Sequence, residues 1–588
     1  MTATTSLHGI GASPGVAVGH AFVLDARRVR TPKVKLTRDE VETEVLRFKT
    51  AIDLSDRQLE DIKSKLTGQG TDGGEHGLIL EAHRLMLHDP MFLVEVSRLI
   101  KEDGINAEWA VRRVCRRLRH QFDNLDDEYF RERRSDIEFV ADRLVRNLMG
   151  ELVDPELSVP ANSIIVAHDV SPADAALLLR DGKVAAFVTD LGGQTSHTAI
   201  VARAREVPAV VGLSKASDSI RNGDVVAVDG RRGLVLINPT EEHLALFRET
   251  MRRQLATEQL ALKTAELPAV TTDGVKVTLL GNMEFPEEIP SLLAHGAEGI
   301  GLYRTEFLFL NRPSPPTEEE HFESYKQVLT AMGDRPVTIR TLDLGADKVP
   351  GKKPEKENNP AMGLRAIRYC LQHRDLFRAQ LRALLRASVY GNLRVMFPLI
   401  SSISELREAR SELERCRSEL SRQGVPMGKR FPVGIMVETP SAALIADRLA
   451  LEADFFSIGT NDLIQYTIAI DRQNRDVAYL YRPLHLGILR SLTNIVTAAR
   501  NANIPVAMCG EMAGDPTLTL VLVAVGLEQF SMTSGQIPMV KNIVRAISKA
   551  EAVAVLEKAM QFSSAEEIER FIKQEMDARF SKLDGSGQ

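Results

Sequence analysis

One histidine in this chain sits where a phosphoryl group could be both accepted and held. The stretch Gly192-Gly193-Gln194-Thr195-Ser196-His197 follows an apolar run, Val184-Ala185-Ala186-Phe187-Val188-Thr189-Asp190, that reads as a buried strand. Next comes Thr198-Ala199-Ile200-Val201-Ala202-Arg203, with helix formers and apolar residues at helical spacing. The order is strand, glycine turn, helix. Thr195 or Ser196 is a natural N-cap, which predicts His197 in or beside the first helical turn. A helix start offers unpaired N–H groups and the positive end of a dipole, and both suit phosphate. Unperturbed imidazole titrates near about 6.5, so at neutral pH it is largely neutral and nucleophilic. His197 could therefore take a phosphoryl group and have its charge stabilised by the backbone. The plainer alternative is a tight loop that happens to contain a histidine, and a lone Gly-Gly turn would favour it.

A second set of reactive side chains lies far downstream, each just after a short apolar run. These are Arg304-Thr305-Glu306, Arg340-Thr341-Leu342-Asp343, Glu438, Gly459-Thr460-Asn461-Asp462 with Arg472 beyond, and Cys509-Gly510-Glu511. Arg304, Arg340 and Arg472 could clamp a phosphate, because guanidinium pairs bidentately with phosphate oxygens. Glu438 and Asp462 could hold Mg2+, which takes one or two carboxylates and fills its shell with substrate oxygens and water. Such a cation would offset charge in phosphoryl transfer. Asn461 could donate a hydrogen bond to phosphate. The Cys509 thiol, with an ordinary pKa of about 8.5, would be mostly protonated and able to give a proton. Singly, each has a dull reading as a surface arginine, a solvated glutamate or a packing cysteine. Their joint placement at strand ends is harder to dismiss.

Positioning these groups takes a particular set of elements. From residue 272 the chain reads as repeated strand-then-helix units, with strands predicted at 275–280, 299–303, 337–341, 393–397, 433–437, 454–457, 505–508 and 529–532. That count matches a (β/α)8 barrel, whose chemistry sits where the strands end. Residues 8–24 alternate apolar and small residues with Gly and Pro as punctuation, and predict short strands. They are expected to join the segment 155–235, where 163–167, the Val184 run and 225–229 read as further strands. Residues 36–150 are rich in Glu, Arg, Lys and Leu, and Val41, Val45, Phe48 and Ile52 recur at helical spacing. They predict about four helices packed as antiparallel hairpins. Residues 240–265 read as one long charged connector helix between two halves.

The motifs themselves resemble a known family. GGQTSHTAIVAR (192–203) with VPAVVG (207–212) closely resembles the phosphohistidine domain of the phosphoenolpyruvate-using phosphotransferases. That family includes enzyme I of the bacterial sugar phosphotransferase system, pyruvate phosphate dikinase and phosphoenolpyruvate synthase. GIGLYRTEFLF (299–309), RTLDLGADK (340–348), NPAMGLRAIR (359–368), GIMVETPSA (434–442), FFSIGTNDLIQYT (455–467) and MCGEMAGD (508–515) resemble its phosphoenolpyruvate-binding barrel. The likeness to enzyme I runs from residue 8 to beyond 560. It implies a multidomain α/β fold: a swivelling α/β phosphohistidine domain (1–35 and 151–238) with an inserted helical bundle (36–150), a helical linker (239–268), and a C-terminal (β/α)8 TIM barrel (269–580). It implies that His197 carries the phosphate and that Arg304, Arg340, Asn461 and Arg472 bind phosphoenolpyruvate. Glu438 and Asp462 would bind magnesium, Asp462 also lying against substrate, and Cys509 would protonate the enolate. Arg365 and Lys348 are further candidates for substrate contact. The helical insert would dock the phosphocarrier HPr, with 81–86 and 125–137 as matched stretches, and the barrel would form a homodimer. The chain departs from the pattern at Gln194, where some enzyme I sequences carry Arg, at Ala346, where Gly is common, and in the eighth-strand loop FSMTSGQIP (530–538).

The implied reaction is the first step of the sugar phosphotransferase system. Neutral His197 would attack the phosphorus of phosphoenolpyruvate through Nε2, pyruvate would leave, and the domain would swing to pass the group to a histidine of HPr. Two other readings compete. A dikinase or synthase would charge the same histidine from ATP, but the short helical insert leaves no stretch for a large nucleotide-binding domain. A scaffold that only binds HPr would not need the full set of catalytic residues.

Length and composition agree with this. A chain of 588 residues suggests about three domains. A net charge of −6 gives no reason to expect nucleic acid or an acidic membrane as partner. Cys115, Cys370, Cys416 and Cys509 form no CxxC pair, so neither a disulfide framework nor a zinc site is suggested. The N-terminus lacks the basic and apolar regions of a signal peptide, and the most apolar stretch, 518–527, is too short to span a bilayer. The cytoplasm is the expected location.

Overall fold

The chain forms two compact units, Met1–Gln254 and Leu255–Gln588. The structure is a computed structural model. It describes residues 4–580 apart from 25–31, 68–83, 85, 124–139, 151–158, 171–177, 179–181, 194–196, 205–206, 310–313, 347–348, 350–358 and 472–476.

In the first unit the strands are β1 (Thr5–His8), β2 (Ile10–Ser13), β3 (Val16–Val23), β4 (Ser163–Ala167), β5 (Val184–Thr189), β6 (Ala209–Val211), β7 (Val225–Asp229) and β8 (Leu234–Ile237). They make one sheet in the order β1-β8-β7-β3-β4-β5-β6-β2. Its centre, β3 to β6, is parallel, and its flanks are antiparallel. Every residue of β4 is buried, as a strand covered on both faces requires. Alternation sorts the apolar side chains onto the two faces: Ile165 and Phe187 join one cluster with Ala199, while Ile164 and Val188 join another with Val226. Because β3 pairs with both β4 and β7, the first residues of the chain complete a sheet built from much later sequence.

The inserted region contains helices Val41–Thr67, Pro90–Asp103 and Ala107–Asp123 and the helical residues 140–149. Val45, Phe48 and Ile52, the stripe legible in the sequence, pack against Val96, Ile100, Val111 and Leu144. A polar clasp locks the bundle. Glu44 accepts from Arg47 at 2.7 Å and from the Ala107 N–H at 2.6 Å, and Arg47 also donates to Glu108 at 2.7 Å. The stretches 81–86 and 125–137 fall wholly or largely outside the described residues. Helix Glu241–Leu262 follows the sheet.

The second unit is a closed parallel barrel of β9 (Thr278–Met283), β10 (Ile300–Tyr303), β11 (Pro336–Arg340), β12 (Asn392–Phe397), β13 (Val433–Val437), β14 (Phe456–Ile458), β15 (Val506–Met508) and β16 (Gln529–Met532). Seven strands lie where the sequence predicts them, give or take their ends. The first starts at 278 rather than 275 because the preceding residues are used otherwise. Val270 bridges Lys276 and the Thr271 N–H donates to the Val275 carbonyl, so an apolar run that reads as strand opens with a small hairpin. Asp273 in that hairpin accepts from the backbone N–H groups of Lys549 and Ala550, at the start of helix Lys549–Ala559. Alternation also divides the barrel. Val395 and Phe397 pack under the helices, while Leu302, Met396, Met436, Phe455 and Cys509 form the inner cluster. Among the described residues no helix is long and apolar enough to cross a membrane.

Candidate active site

Parallel strands all end at one mouth, so the residues just past them share a space. Arg340 closes β11, and Glu284, Arg304, Glu438, Gly459 and Cys509 follow β9, β10, β13, β14 and β15. Three carboxylates converge there. Asp343, Glu438 and Asp462 each offer an oxygen, all within 4.8 Å of one another. The sequence reading singles out the last two, and the structure adds Asp343. Three carboxylate oxygens, partly buried, are the donor set a hard divalent cation takes.

Charge in this cluster is finely balanced. Burial, and then the neighbouring Asp343 and Asp462, push the Glu438 carboxyl well above its ordinary range. Burial also opposes ionisation of Asp343, but Arg340 at 2.8 Å and Arg365 at 2.7 Å outweigh it and hold that carboxyl low. Arg365 reaches Asp462 at 3.3 Å and the Tyr466 hydroxyl at 3.1 Å, and that hydroxyl donates to the Ala361 carbonyl. The Leu399 N–H donates to Glu438 Oε1 at 2.6 Å. Leu399 has φ 52°, a left-handed conformation costly for such a side chain and of the kind found at functional sites.

The arginines are held by carboxylates. Arg304 pairs with Glu284 at 2.6 Å, and Arg340, only 9% exposed, pairs with Glu306 at 3.1 Å besides Asp343. Asn461 donates from Nδ2 to Glu511 at 3.1 Å, and its Oδ1 accepts from the Glu511 N–H at 3.1 Å. Cys509 is buried inside the barrel, where burial pushes its thiol up against the opposing hydrogen bond from Ser457 and the charge of Arg340. Ser457 donates to Sγ at 3.3 Å, and the thiol points toward the Ile458 carbonyl at 3.7 Å. A thiol held up in this way keeps its proton at neutral pH, the state a proton donor needs.

The structure therefore brings Arg304, Arg340, Arg365, Glu438, Asn461, Asp462 and Cys509 to one mouth. Arg472, Lys348 and Gln194 lie outside the described residues. His197 opens the helix His197–Ala204, in the first turn as predicted, and Thr198 Oγ1 ties that turn to the Val170 carbonyl at 3.3 Å. The altered eighth-strand loop forms a short 3-10 turn, Ser534–Gln536. Sequence reasoning missed three carboxylate roles. Asp343 carried a signal, being an acidic residue in the loop after a predicted strand. Glu306 stood beside Arg304 with nothing to distinguish it. Glu284 gave no signal, because a strand at 275–280 leaves it four residues out in a loop, whereas β9 ends at Met283 beside it.

Close approach fixes one glycine here. A Cβ on Gly459 would sit 2.7 Å from Glu438 Oε2 and 3.0 Å from Met436 Sδ. Gly459→Ala is expected to displace the Glu438 carboxylate and raise the metal concentration for half-maximal activity at least about tenfold, with the fold retained. A metal titration of activity beside a circular dichroism spectrum checks it, and an unchanged titration would show that the carboxylate is free to move.

Comparison with known proteins gives one consistent answer. Family models described as PEP-utilising enzyme, N-terminal, mobile domain, and PEP-binding domain match residues 8–133, 159–233 and 258–549. The phosphoenolpyruvate-protein phosphotransferase of Bacillus sp. (strain S) is 43% identical over 569 residues, covering 97% of this chain and 98% of that protein. Those of Geobacillus stearothermophilus and Bacillus subtilis (strain 168) are each 43% identical, over 572 and 571 residues, with 97% of this chain covered and 98% and 99% of theirs. Matched at 43% identity over nearly its full length and by all three family models, the chain belongs to the phosphoenolpyruvate-protein phosphotransferase family of PEP-utilising enzymes.

Proposed function

We propose that this protein transfers the phosphoryl group of phosphoenolpyruvate to its own His197 and then to a histidine of HPr, releasing pyruvate, as the first step of the sugar phosphotransferase system in the cytoplasm. The observation that carries the reading is the barrel mouth, where cationic, anionic and proton-bearing groups meet in the arrangement this reaction needs. Arg304 and Arg340 would exchange their internal carboxylates for the substrate phosphate, and Arg365, Lys348 and Arg472 would add contacts. Asn461 would turn its amide from Glu511 to a phosphate oxygen. Asp343, Glu438 and Asp462 would hold Mg2+, which supplies charge compensation at the phosphate and carboxylate oxygens of the substrate. His197 Nε2 would then attack phosphorus. The bond to the bridging oxygen breaks and its electron pair leaves on the pyruvate enolate. Cys509 gives its proton to the enolate carbon, and solvent returns one to the thiolate.

The second transfer uses other parts of the chain. Residues 1–35 and 151–238 would act as the mobile phosphohistidine domain, 36–150 as the HPr dock, and 239–268 as the linker. Residues 269–580 would form the barrel and the dimer contact. Homodimerisation through the barrel is favoured by large apolar side chains left exposed on it, Leu444, Leu451 and Tyr479.

The test is direct. Purified protein with Mg2+ and phosphoenolpyruvate labelled in its phosphate, without ATP, should acquire acid-labile, base-stable label and pass it to added HPr. No label would overturn the reading, and label only from ATP would favour a dikinase. Cys509→Ala should slow pyruvate formation by about 10²- to 10⁴-fold, the usual weight of a positioned proton donor. Exchange between phosphorylated HPr and His197 needs no enolate and should be unchanged. Pyruvate release at the wild-type rate would remove Cys509 from the mechanism.

A further inference from the structure

Gln380 is a polar residue in the middle of an apolar helix face. It lies on helix Arg374–Ala387, where its buried companions are Phe377, Leu381, Ala383 and Leu384. Its exposure is 0%. Burying a primary amide is unfavourable unless its donors and acceptor are paired, and here they are. Its Oε1 accepts from the Leu342 N–H at 3.0 Å, and Nε2 donates to Thr305 Oγ1 at 3.2 Å and to the Tyr325 hydroxyl at 3.0 Å. Thr305 Oγ1 in turn donates to the Arg340 carbonyl at 3.0 Å. The Asp343 N–H donates to Glu306 at 3.0 Å, a second tie between the same two segments. The amide is itself anchored from behind, since the Tyr325 hydroxyl also meets His321 Nδ1 at 2.9 Å.

Those contacts are placed with a purpose. Thr305 directly follows Arg304, and Leu342 lies between Arg340 and Asp343. One side chain thus spans the segments that leave β10 and β11, and those segments carry two anion-binding arginines and one carboxylate of the acidic trio. We infer that Gln380 is a positioning residue for the phosphoenolpyruvate step, holding Arg304, Arg340 and Asp343 in their converged geometry through Thr305 and Leu342. Its side-chain hydrogen bonds go to Leu342, Thr305 and Tyr325, and it acts on the arginines and the acidic trio through them. Residues that orient the groups around a bound metal typically alter affinity or activity by about 10- to 100-fold when replaced.

The inference rests on the proposed function, so its test includes a measurement that needs no turnover. Gln380→Met keeps length and volume and removes the three hydrogen bonds. Calorimetric titration of the full chain with Mg2+ should show affinity weakened about tenfold. The Mg2+ and phosphoenolpyruvate concentrations for half-maximal labelling of His197 should rise by a similar factor. Exchange of phosphate between HPr and His197 should stay within about twofold of wild type, because that step does not use the barrel mouth. Gln380→Glu keeps an acceptor for the Leu342 N–H and, protonated in its buried place, a donor, and should recover most of the lost affinity. Should the methionine variant not fold, Thr305→Val cuts the same link with little change of volume and should give the same weakening. Unchanged Mg2+ affinity in a folded variant overturns the inference. So does an equal fall in both half-reactions together with thermal stability, which would mark Gln380 as a packing residue. A wild type that binds Mg2+ but takes no label would refute the proposed function alone, and the calorimetric comparison would still decide the case of Gln380. A wild type that does not bind Mg2+ overturns both.

Discussion

Replacing His197 by alanine is expected to abolish labelling from phosphoenolpyruvate and to lower transfer to HPr on the order of 10⁴-fold or more. The size of the effect follows from its kind. A covalent intermediate needs its nucleophile, and removal of a nucleophile ordinarily costs more than removal of any group that assists it. His197 opens an eight-residue helix, so its N–H environment is built by backbone that alanine leaves in place. Alanine also has high helix propensity, and the strand–turn–helix unit should remain folded. The proposed substrate site, among Arg304, Arg340, Glu438 and Asp462, belongs to the other unit of the chain. The variant should therefore still bind Mg2+ and phosphoenolpyruvate, seen as an unchanged rise in the melting temperature of the barrel on adding both. Loss of label with retained binding separates the nucleophile from the binding site. Acid-labile label persisting on the variant would mean that another histidine accepts the group, and the wild-type site should then be mapped by peptide analysis.

Much of this was legible in the sequence, and the exceptions have physical causes. The barrel was readable because parallel strands are buried on both faces, so apolar runs such as 393–397 and 433–437 stand out without needing alternation. The helix start at His197 was readable because a glycine turn ahead of Thr and Ser is a local signal. Strand β9 was misplaced by three residues since periodicity cannot tell an apolar strand from an apolar hairpin arm, and only the Val270–Lys276 bridge separates them. That error hid Glu284. Asp343 escaped assignment because its role depends on Glu438 and Asp462 approaching it across the mouth, a distance no local pattern encodes. Gln380 escaped because a single Gln in an amphipathic helix reads as a surface residue until the packing shows it facing inward. Local chemistry was in the sequence, whereas roles made by convergence had to await the fold.

Glu438→Gln is expected to lower phosphoenolpyruvate-dependent labelling by about 10³-fold while leaving the metal-free protein at least as stable as wild type. The two halves of this result have one cause. Glu438 is 2% exposed, with Asp343 and Asp462 as neighbouring carboxylates. Burial and those charges raise its pKa in the folded state above its unfolded value. A group shifted that way contributes stability that is fully present below its unfolded pKa and is lost as pH rises through its folded pKa. At neutral pH without a cation, a carboxyl in this place is thus a liability to the fold. Glutamine keeps the shape, can still accept from the Leu399 N–H, and carries no charge. In chelator its melting temperature should match or exceed that of wild type, and the gap should widen from pH 5 toward pH 8. Mg2+ should reverse the order. Wild type gains stability by mass action, about 2.7 kcal/mol at a hundred times its Kd, and the variant, short of one charged ligand, gains much less. Exchange between HPr and His197 should not change. A variant stabilised by Mg2+ as fully as wild type would show that Asp343 and Asp462 suffice as ligands, and would move Glu438 from holding the cation to shaping the mouth around it.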